Sequence, residues 1–253
     1  MYYSSRLSKY NSISHCFLGR KGGKSKGIYK SLNCGKGSLD NKDNINKNLE
    51  TACKKICSSY KKLILLNQIH SNKFIFFDKK NMNHKNKKIG DALITKEKKI
   101  IIGILTADCV PILIYDKKLK IISAIHAGWK GAYKGILKKV IKFLFRNGSK
   151  PENLIAAIGP CISQKSYEIK KGFKTKFLKQ NKKNEIFFKE NRKRTYFSLN
   201  KYVYNELNNL GLKKIDIVEK DTYNQKNNLF SARRSLKLKH DDYGRNISII
   251  MIN

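Results

Sequence analysis

The sequence predicts an α/β fold on a mixed rather than purely parallel sheet, and three observations predict it. Stretches rich in Ile, Leu and Val alternate along the chain with stretches whose apolar residues recur at helical spacing. The middle of the chain, 91–127, is strand-rich, which points to a mixed sheet. The 253 residues, 40% of them hydrophobic, suffice to bury a sizeable core, and neither an internal repeat nor a long Gly/Ser/Pro linker divides them.

Residues 12–35 read as an opening strand and a Gly-rich loop, and 43–60 as a helix with Asp43 near its start. KLILLNQIH (62–70) and KFIFFD (73–78) read as two strands joined by a short turn, and 79–90 as a polar loop. The β-branched stretch 91–116 carries two or three strands. Residues 119–148 begin as a buried strand and become an amphipathic helix. Its apolar positions are Ile136, Leu137, Val140, Ile141, Leu144 and Phe145, with Gly148 as the stop. A buried strand at 154–162 ends in a turn. Helices follow near 166–180 and 198–210, the second capped by Ser198 and ended by Gly211. Strands near 214–221 and 246–252 complete the order.

The net charge is +37, from 55 Lys+Arg against 18 Asp+Glu. Such a field attracts polyanions weakly and in a salt-sensitive way. The lysines are spread over the whole chain, however, and no helix-turn-helix, zinc-finger or RNP-type signature accompanies them, so no specific nucleic acid is expected as a partner. The apolar run at 100–115 contains Thr106 and Asp108 and reads as strands, so no membrane span is expected. The opening residues lack the apolar core of a secretion signal, which sets the expectation of a cytoplasmic protein with its six cysteines reduced. Cys53 and Cys57, four apart on the expected helix, suit a metal in principle and a buried helix face more simply.

The chain has five histidines, at 15, 70, 84, 126 and 240. His70 and His126 each close an apolar strand, and Cys109 sits in a third apolar stretch. Strand ends are where α/β folds collect their sites. Two imidazoles and a thiolate suit zinc, and three protein ligands leave a fourth position open for water or substrate. A strand-end histidine is also often a hydrogen-bonded core residue, and both readings stand at this point.

The segments NQIHS (67–71), DALIT (91–95), TADCVPILIYD (106–116), HAGWKGAYKGIL (126–137) and IGPCISQKSYEI (158–169) resemble, in order, the signature blocks of the laccase-domain family. That family is also called multicopper polyphenol oxidoreductase, peptidoglycan editing factor or bacterial purine nucleoside phosphorylase. LGRKGGKSKGIYKSLNCG (18–35) and LFSARRSLKLKHDDYGRNISIIMI (229–252) are similar to its first and last blocks, so the likeness runs from His15 to Ile252. Two departures stand out. Ser71 occupies a position usually Gly, and Ser235 replaces the Asp that usually follows the paired arginines.

The resemblance implies one α/β sandwich domain over 1–253, a mixed sheet core and flanking helices. It implies zinc, rather than copper, on His70, Cys109 and His126. The implied activity is phosphorolysis of adenosine, inosine and 5′-methylthioadenosine, with deamination of adenosine beside it. Partners are then purine nucleosides and phosphate, acting on a monomer. Arg234, by its match to the family's arginine, is the first choice for phosphate, followed by Arg233, Arg245 and Arg20. Asp108 either holds a ligand imidazole, acts as an acid on the purine, or serves a turn. Trp129 stacks on the purine or packs in the core, Asn67 and Gln68 orient His70 or bind ribose, and Asn33 closes a loop over the substrate. Cys161 is read as a packed turn residue.

Two alternatives remain open. A copper phenol oxidase needs more imidazoles than five or a weak axial Met, and the methionines are Met1, Met82 and Met251. A cysteine hydrolase of cell-wall precursors would use Cys109 as nucleophile, a role that competes with zinc binding.

Overall fold

The computed structural model describes residues 1–78, 89–170, 172–191 and 193–253. The expected polar loop at 79–90, with His84 and Met82, falls largely outside them. In chain order the elements are β1 (Ile13–Phe17), α1 (Lys42–Lys54), β2 (Lys62–Ile64), β3 (Phe74–Phe77), β4 (Ala92–Thr95), β5 (Ile100–Thr106), β6 (Val110–Asp116) and β7 (Ile121–Ala127). Then come α2 (Trp129–Tyr133), α3 (Ile136–Arg146), β8 (Leu154–Ile158), β9 (Glu168–Ile169), α4 (Phe173–Gln180), β10 (Phe188–Asn191) and β11 (Arg194–Phe197). α5 (Leu199–Asn209), β12 (Lys214–Ile217), α6 (Ala232–Lys237) and β13 (Asn246–Ile252) close the chain.

Two mixed sheets form the centre. One runs β1-β13-β5-β2 and the other β12-β8-β6-β7-β4-β3; a small third sheet runs β10-β11-β9. β2/β5, β3/β4 and β8/β12 are parallel, and the other pairs of the two main sheets are antiparallel. Strand alternation explains the layering. In β6, Leu113 and Tyr115 face the space between the two main sheets, while Val110, Ile112 and Ile114 face the helices α3 and α5. In β13, Ile250 and Ile252 face the inter-sheet core, while Ile247, Ile249 and Met251 face α1. Every residue of β6, β7, β8 and β13 is buried, which is why these strands read as unbroken apolar runs. Truncating one wholly buried isoleucine of this core to alanine is expected to cost about 2–5 kcal/mol.

The expected strand 62–70 is short: β2 ends at Ile64, and the following residues leave one sheet and reach the other at β3. The segment carrying Asn67 to Ser71 thus crosses the open seam of the sandwich. Helix α1 ends at Lys54 rather than near 60, so Cys57 lies beyond it; the side chain of Asn41 caps its start, accepting from the N–H groups of Asp43 and Asn44. The expected helix after the seventh strand breaks at Gly135, whose φ of +78° suits glycine, giving α2 and α3. The helix expected near 166–180 begins at Phe173, because 168–169 pair as β9 with β11. Ser198 sits at the cap position of α5, but its hydroxyl donates to Asn200 Oδ1 instead of accepting from the helix.

Candidate metal centre and its cleft

Three elements bring the ligands together. The turn from β5 to β6 carries Asp108 with φ +86° and then Cys109; His126 is the last residue but one of β7; and the seam-crossing segment delivers His70 with φ +56°. Two non-glycine residues in the left-handed region at one site is backbone strain held by the surroundings. The holding contacts are visible. Gln68 donates from Nε2 to the Leu105 carbonyl and accepts the Leu105 N–H at Oε1, both at 2.8 Å, pinning the segment to β5.

Asp91 does the rest. It precedes β4, which pairs antiparallel with β7, so it stands beside His126. Its buried carboxylate accepts from His126 Nδ1 at 2.8 Å, the His70 N–H at 2.9 Å, the Ser71 N–H at 2.6 Å and the Ser71 hydroxyl at 2.7 Å. Ser71, the departure from the family's glycine, therefore adds one more bond to this carboxylate. With Nδ1–H on Asp91, His126 presents Nε2 towards the thiol.

The ligand atoms of His70, Cys109 and His126 lie within 4.8 Å of one another, and Cys109 Sγ is 3.7 Å from His70 Nε2. Ligands at ordinary Zn–S and Zn–N lengths in a tetrahedron stand roughly 3.5 Å apart, so the donor set fits such an ion. Gly128 leaves the space it needs: a Cβ there would come within 2.7 Å of His70 Cδ2 and 3.0 Å of Cys109 Sγ. His126 is 3% exposed, Cys109 half-buried and His70 exposed, so one side of the cluster stays open to a ligand.

Electrostatics prepare the donors. Burial pushes the Cys109 thiol up, but the neighbouring His126 and His70 outweigh it and bring it down to about 7. Burial opposes charge on His126, yet the Cys109 thiolate and Asp91 raise it to about 9. Burial likewise opposes ionised Asp91, and the hydrogen bonds from His126 and Ser71 hold it down at about 2.

A cleft of about 780 Å³ opens over the cluster, and Asn67, Tyr243, Arg245, Lys36 and Lys62 also line it. Of the residues nominated from sequence, it gathers His70, Cys109, His126, Asn67, Gln68 and Arg245. Six others have different employment. Arg234 donates to the backbone carbonyls of Thr222, Tyr223 and Leu229, so its fork is engaged within the fold. Arg233 donates to the Glu168 carbonyl and stacks on Tyr167, and Arg20 binds the Lys30 carbonyl and lies over Phe230. Trp129 packs against Phe173 at the edge of the helix-side core rather than lining the cleft. Asp108 does not hold an imidazole: its carboxylate accepts from Thr222 Oγ1 and the Arg233 N–H, both at 2.6 Å. Asn33 is wholly buried and bonded inside the fold. Cys161 is buried and bridges to Asp221, as a packed turn residue would. Asp91, Lys36 and Lys62 were missed from the sequence. The only signal for Asp91 was its place at the head of the DALIT block.

Residues 14–253 match the family described as Multi-copper polyphenol oxidoreductase laccase. A Rickettsia conorii protein named purine nucleoside phosphorylase RC0672 is 35% identical over 187 residues, 73% of this chain and 75% of that protein. A Haemophilus influenzae protein named purine nucleoside phosphorylase is 30% identical over 234 residues, 91% of each. Among solved structures, the Bacillus licheniformis hypothetical protein YfiH superposes with TM-score 0.89 at 22% identity, covering 98% of this chain and 95% of that one. The likeness in structure extends the match to the fold as a whole.

Proposed function

This chain belongs to the laccase-type multi-copper polyphenol oxidoreductase family, and on that premise we propose that it is a purine nucleoside phosphorylase whose metal is zinc. The observation that carries the reading is that the His70–Cys109–His126 cluster and the Arg245 guanidinium line one cleft. The names of the relatives from Rickettsia conorii and Haemophilus influenzae support the same substrates. Two imidazoles and a thiolate suit zinc, and among the described residues no methionine lines the cleft to serve as a weak axial copper ligand.

In phosphorolysis a phosphate oxygen bonds to the ribose C1′, the bond from C1′ to the purine nitrogen breaks, and the base leaves with the electron pair and takes up a proton. Arg245 is the phosphate-binding group, in place of Arg234: its side chain is 23% exposed, and among the described residues its one hydrogen bond goes to the Tyr243 carbonyl at 3.1 Å, leaving donors for an anion. Asn67, exposed on the cleft wall, offers its amide to the ribose hydroxyls. Asp91 fixes His126 in the tautomer that leaves Nε2 free as a ligand. Zinc, when bound, supplies a Lewis acid and can lower the pKa of a bound water towards neutrality. The same cleft would take adenosine, inosine and 5′-methylthioadenosine and deaminate adenosine, in a cytoplasmic monomer.

The test is to incubate zinc-replete protein with adenosine, with and without phosphate, and separate the products. Adenine with ribose-1-phosphate only when phosphate is present supports the reading, and inosine reveals deamination. Adenosine and inosine surviving in phosphate buffer would overturn it. The Cys109 thiol, brought to about 7, favours one second reading, a cysteine hydrolase. A covalent adduct trapped on Cys109 would select that reading over zinc.

A further inference from the structure

An asparagine amide makes at most four hydrogen bonds, and the wholly buried Asn33 makes all four within the chain. Oδ1 accepts the N–H groups of Gly35 and Arg245, each at 2.9 Å. Nδ2 donates to Ser38 Oγ and Asp40 Oδ2, each at 2.9 Å. Nothing is left for a substrate. The backbone returns the grip: the Cys34 N–H donates to the Arg245 carbonyl at 3.2 Å.

The same turn shapes the arginine side chain. A Cβ on Gly35 would stand 2.7 Å from Arg245 Cδ and 3.1 Å from Cγ, so the stem of Arg245 lies directly against that glycine. The guanidinium then rests over the Tyr243 ring, 4.7 Å from its centre, with Asp242 at 3.8 Å. Asp242 in turn accepts the Leu39 N–H and the Tyr29 hydroxyl, both at 2.8 Å. The loop 33–40 therefore grips 242–245 through Asn33 near its start and Leu39 near its end. Between these two anchors lie Lys36 and Gly37, which line the cleft.

We propose that Asn33 is a positioning residue: through Arg245 and the loop 33–40 it sets the phosphate-binding wall of the cleft without touching substrate. This rests on reading the cleft as a phosphorolytic site. A guanidinium fixed before the anion arrives loses less freedom on binding, and a displacement of about 1 Å can cost on the order of 100-fold in rate.

The experiment titrates inorganic phosphate into zinc-replete protein by calorimetry and, in parallel, measures kcat and KM for phosphate. The variants are Asn33→Ala, Gly35→Ala, Arg245→Ala and the double Asn33→Ala/Arg245→Ala. Asn33→Ala and Gly35→Ala are expected to weaken phosphate binding by several-fold, up to the loss of about tenfold expected for Arg245→Ala. KM for phosphate should rise in step, while kcat at saturating phosphate and zinc content stay near wild type. The double variant should bind no more weakly than Arg245→Ala alone, because the asparagine acts through the arginine. If Asn33→Ala does not fold, Gly35→Ala decides alone. Wild-type phosphate affinity in the folded variants, additive losses in the double variant, or no phosphate binding by wild type would each overturn the proposal. Phosphate binding without nucleoside cleavage would instead refute the phosphorylase reading, and the binding arm would still judge Asn33.

Discussion

The candidate metal cluster and the basic wall of the cleft are held in different ways. Two of the cluster's three ligands sit at core strands, His126 near the end of β7 and Cys109 just before β6, and the third, His70, is tied to the sheets by Gln68 and by Asp91, which precedes β4. Arg245 of the basic wall also precedes a strand, β13, but the loop 33–40 is what packs against it: the Arg245 N–H donates to Asn33 Oδ1 and its stem lies against Gly35. A site on strand ends inherits its precision from the sheet, whereas a site on loops needs a dedicated network to hold it.

If the two parts are independent, substitutions must separate them. The largest effect is expected for Cys109→Ala, which removes the thiolate from the cluster. Metal content by elemental analysis should fall to background, and kcat/KM should drop by roughly a thousandfold, while calorimetric phosphate binding persists. Next, Asp91→Asn should weaken metal affinity by about 10–100-fold, read by competition with a chelating dye, with KM for phosphate unmoved once metal is saturating. Arg245 and Arg234 give the reverse case. Arg245→Ala should raise KM for phosphate by about 10-fold and keep full metal content. Arg234→Ala should leave KM for phosphate alone and destabilise the fold by about 1–3 kcal/mol, since it orphans backbone carbonyls at Thr222, Tyr223 and Leu229. Denaturant unfolding distinguishes the two.

The last effect leaves the cleft untouched and concerns a histidine remote from it. His15 on β1 is buried, and its Nε2 accepts the Ser4 N–H at 3.0 Å. Burial outweighs the attraction of Asp216 and pulls it down to about 4. The unfolded chain takes up this proton below about 6.5, while the folded chain refuses it until about 4. Stability should therefore be complete above pH 6.5 and decline, by at most about 3 kcal/mol, as pH falls from 6.5 to 4. In His15→Gln that part of the decline should vanish from unfolding curves taken across the range.

His15 and His126 also show what the sequence could carry. Both lie in apolar strands, which do not by themselves separate a core histidine from a candidate ligand. His126 was distinguished by the HAGWKG block that it opens, together with TADC and NQIH elsewhere in the chain. Strands such as β5, β6 and β13 were legible because both of their faces are buried. That β2 and β3 fall into different sheets was not, since pairing is a long-range property. The hairpin of β10 and β11 was missed because its residues Lys189, Glu190, Asn191 and Arg194 are polar and exposed, and so read as a loop. Asp91 was overlooked in favour of Asp108 for the same reason as β2: only the β4–β7 register puts a carboxylate beside His126. That the Arg234 fork turns to backbone carbonyls while Arg245 lines the cleft was not legible either, because residue type does not reveal where a guanidinium points.

Phosphorus NMR of the zinc-replete protein with inosine and inorganic phosphate tests the central claim most directly. The phosphate resonance should be replaced by that of a sugar phosphate ester as hypoxanthine appears in equal amount. Hypoxanthine released with the phosphate signal unchanged, or inosine left intact, would contradict it.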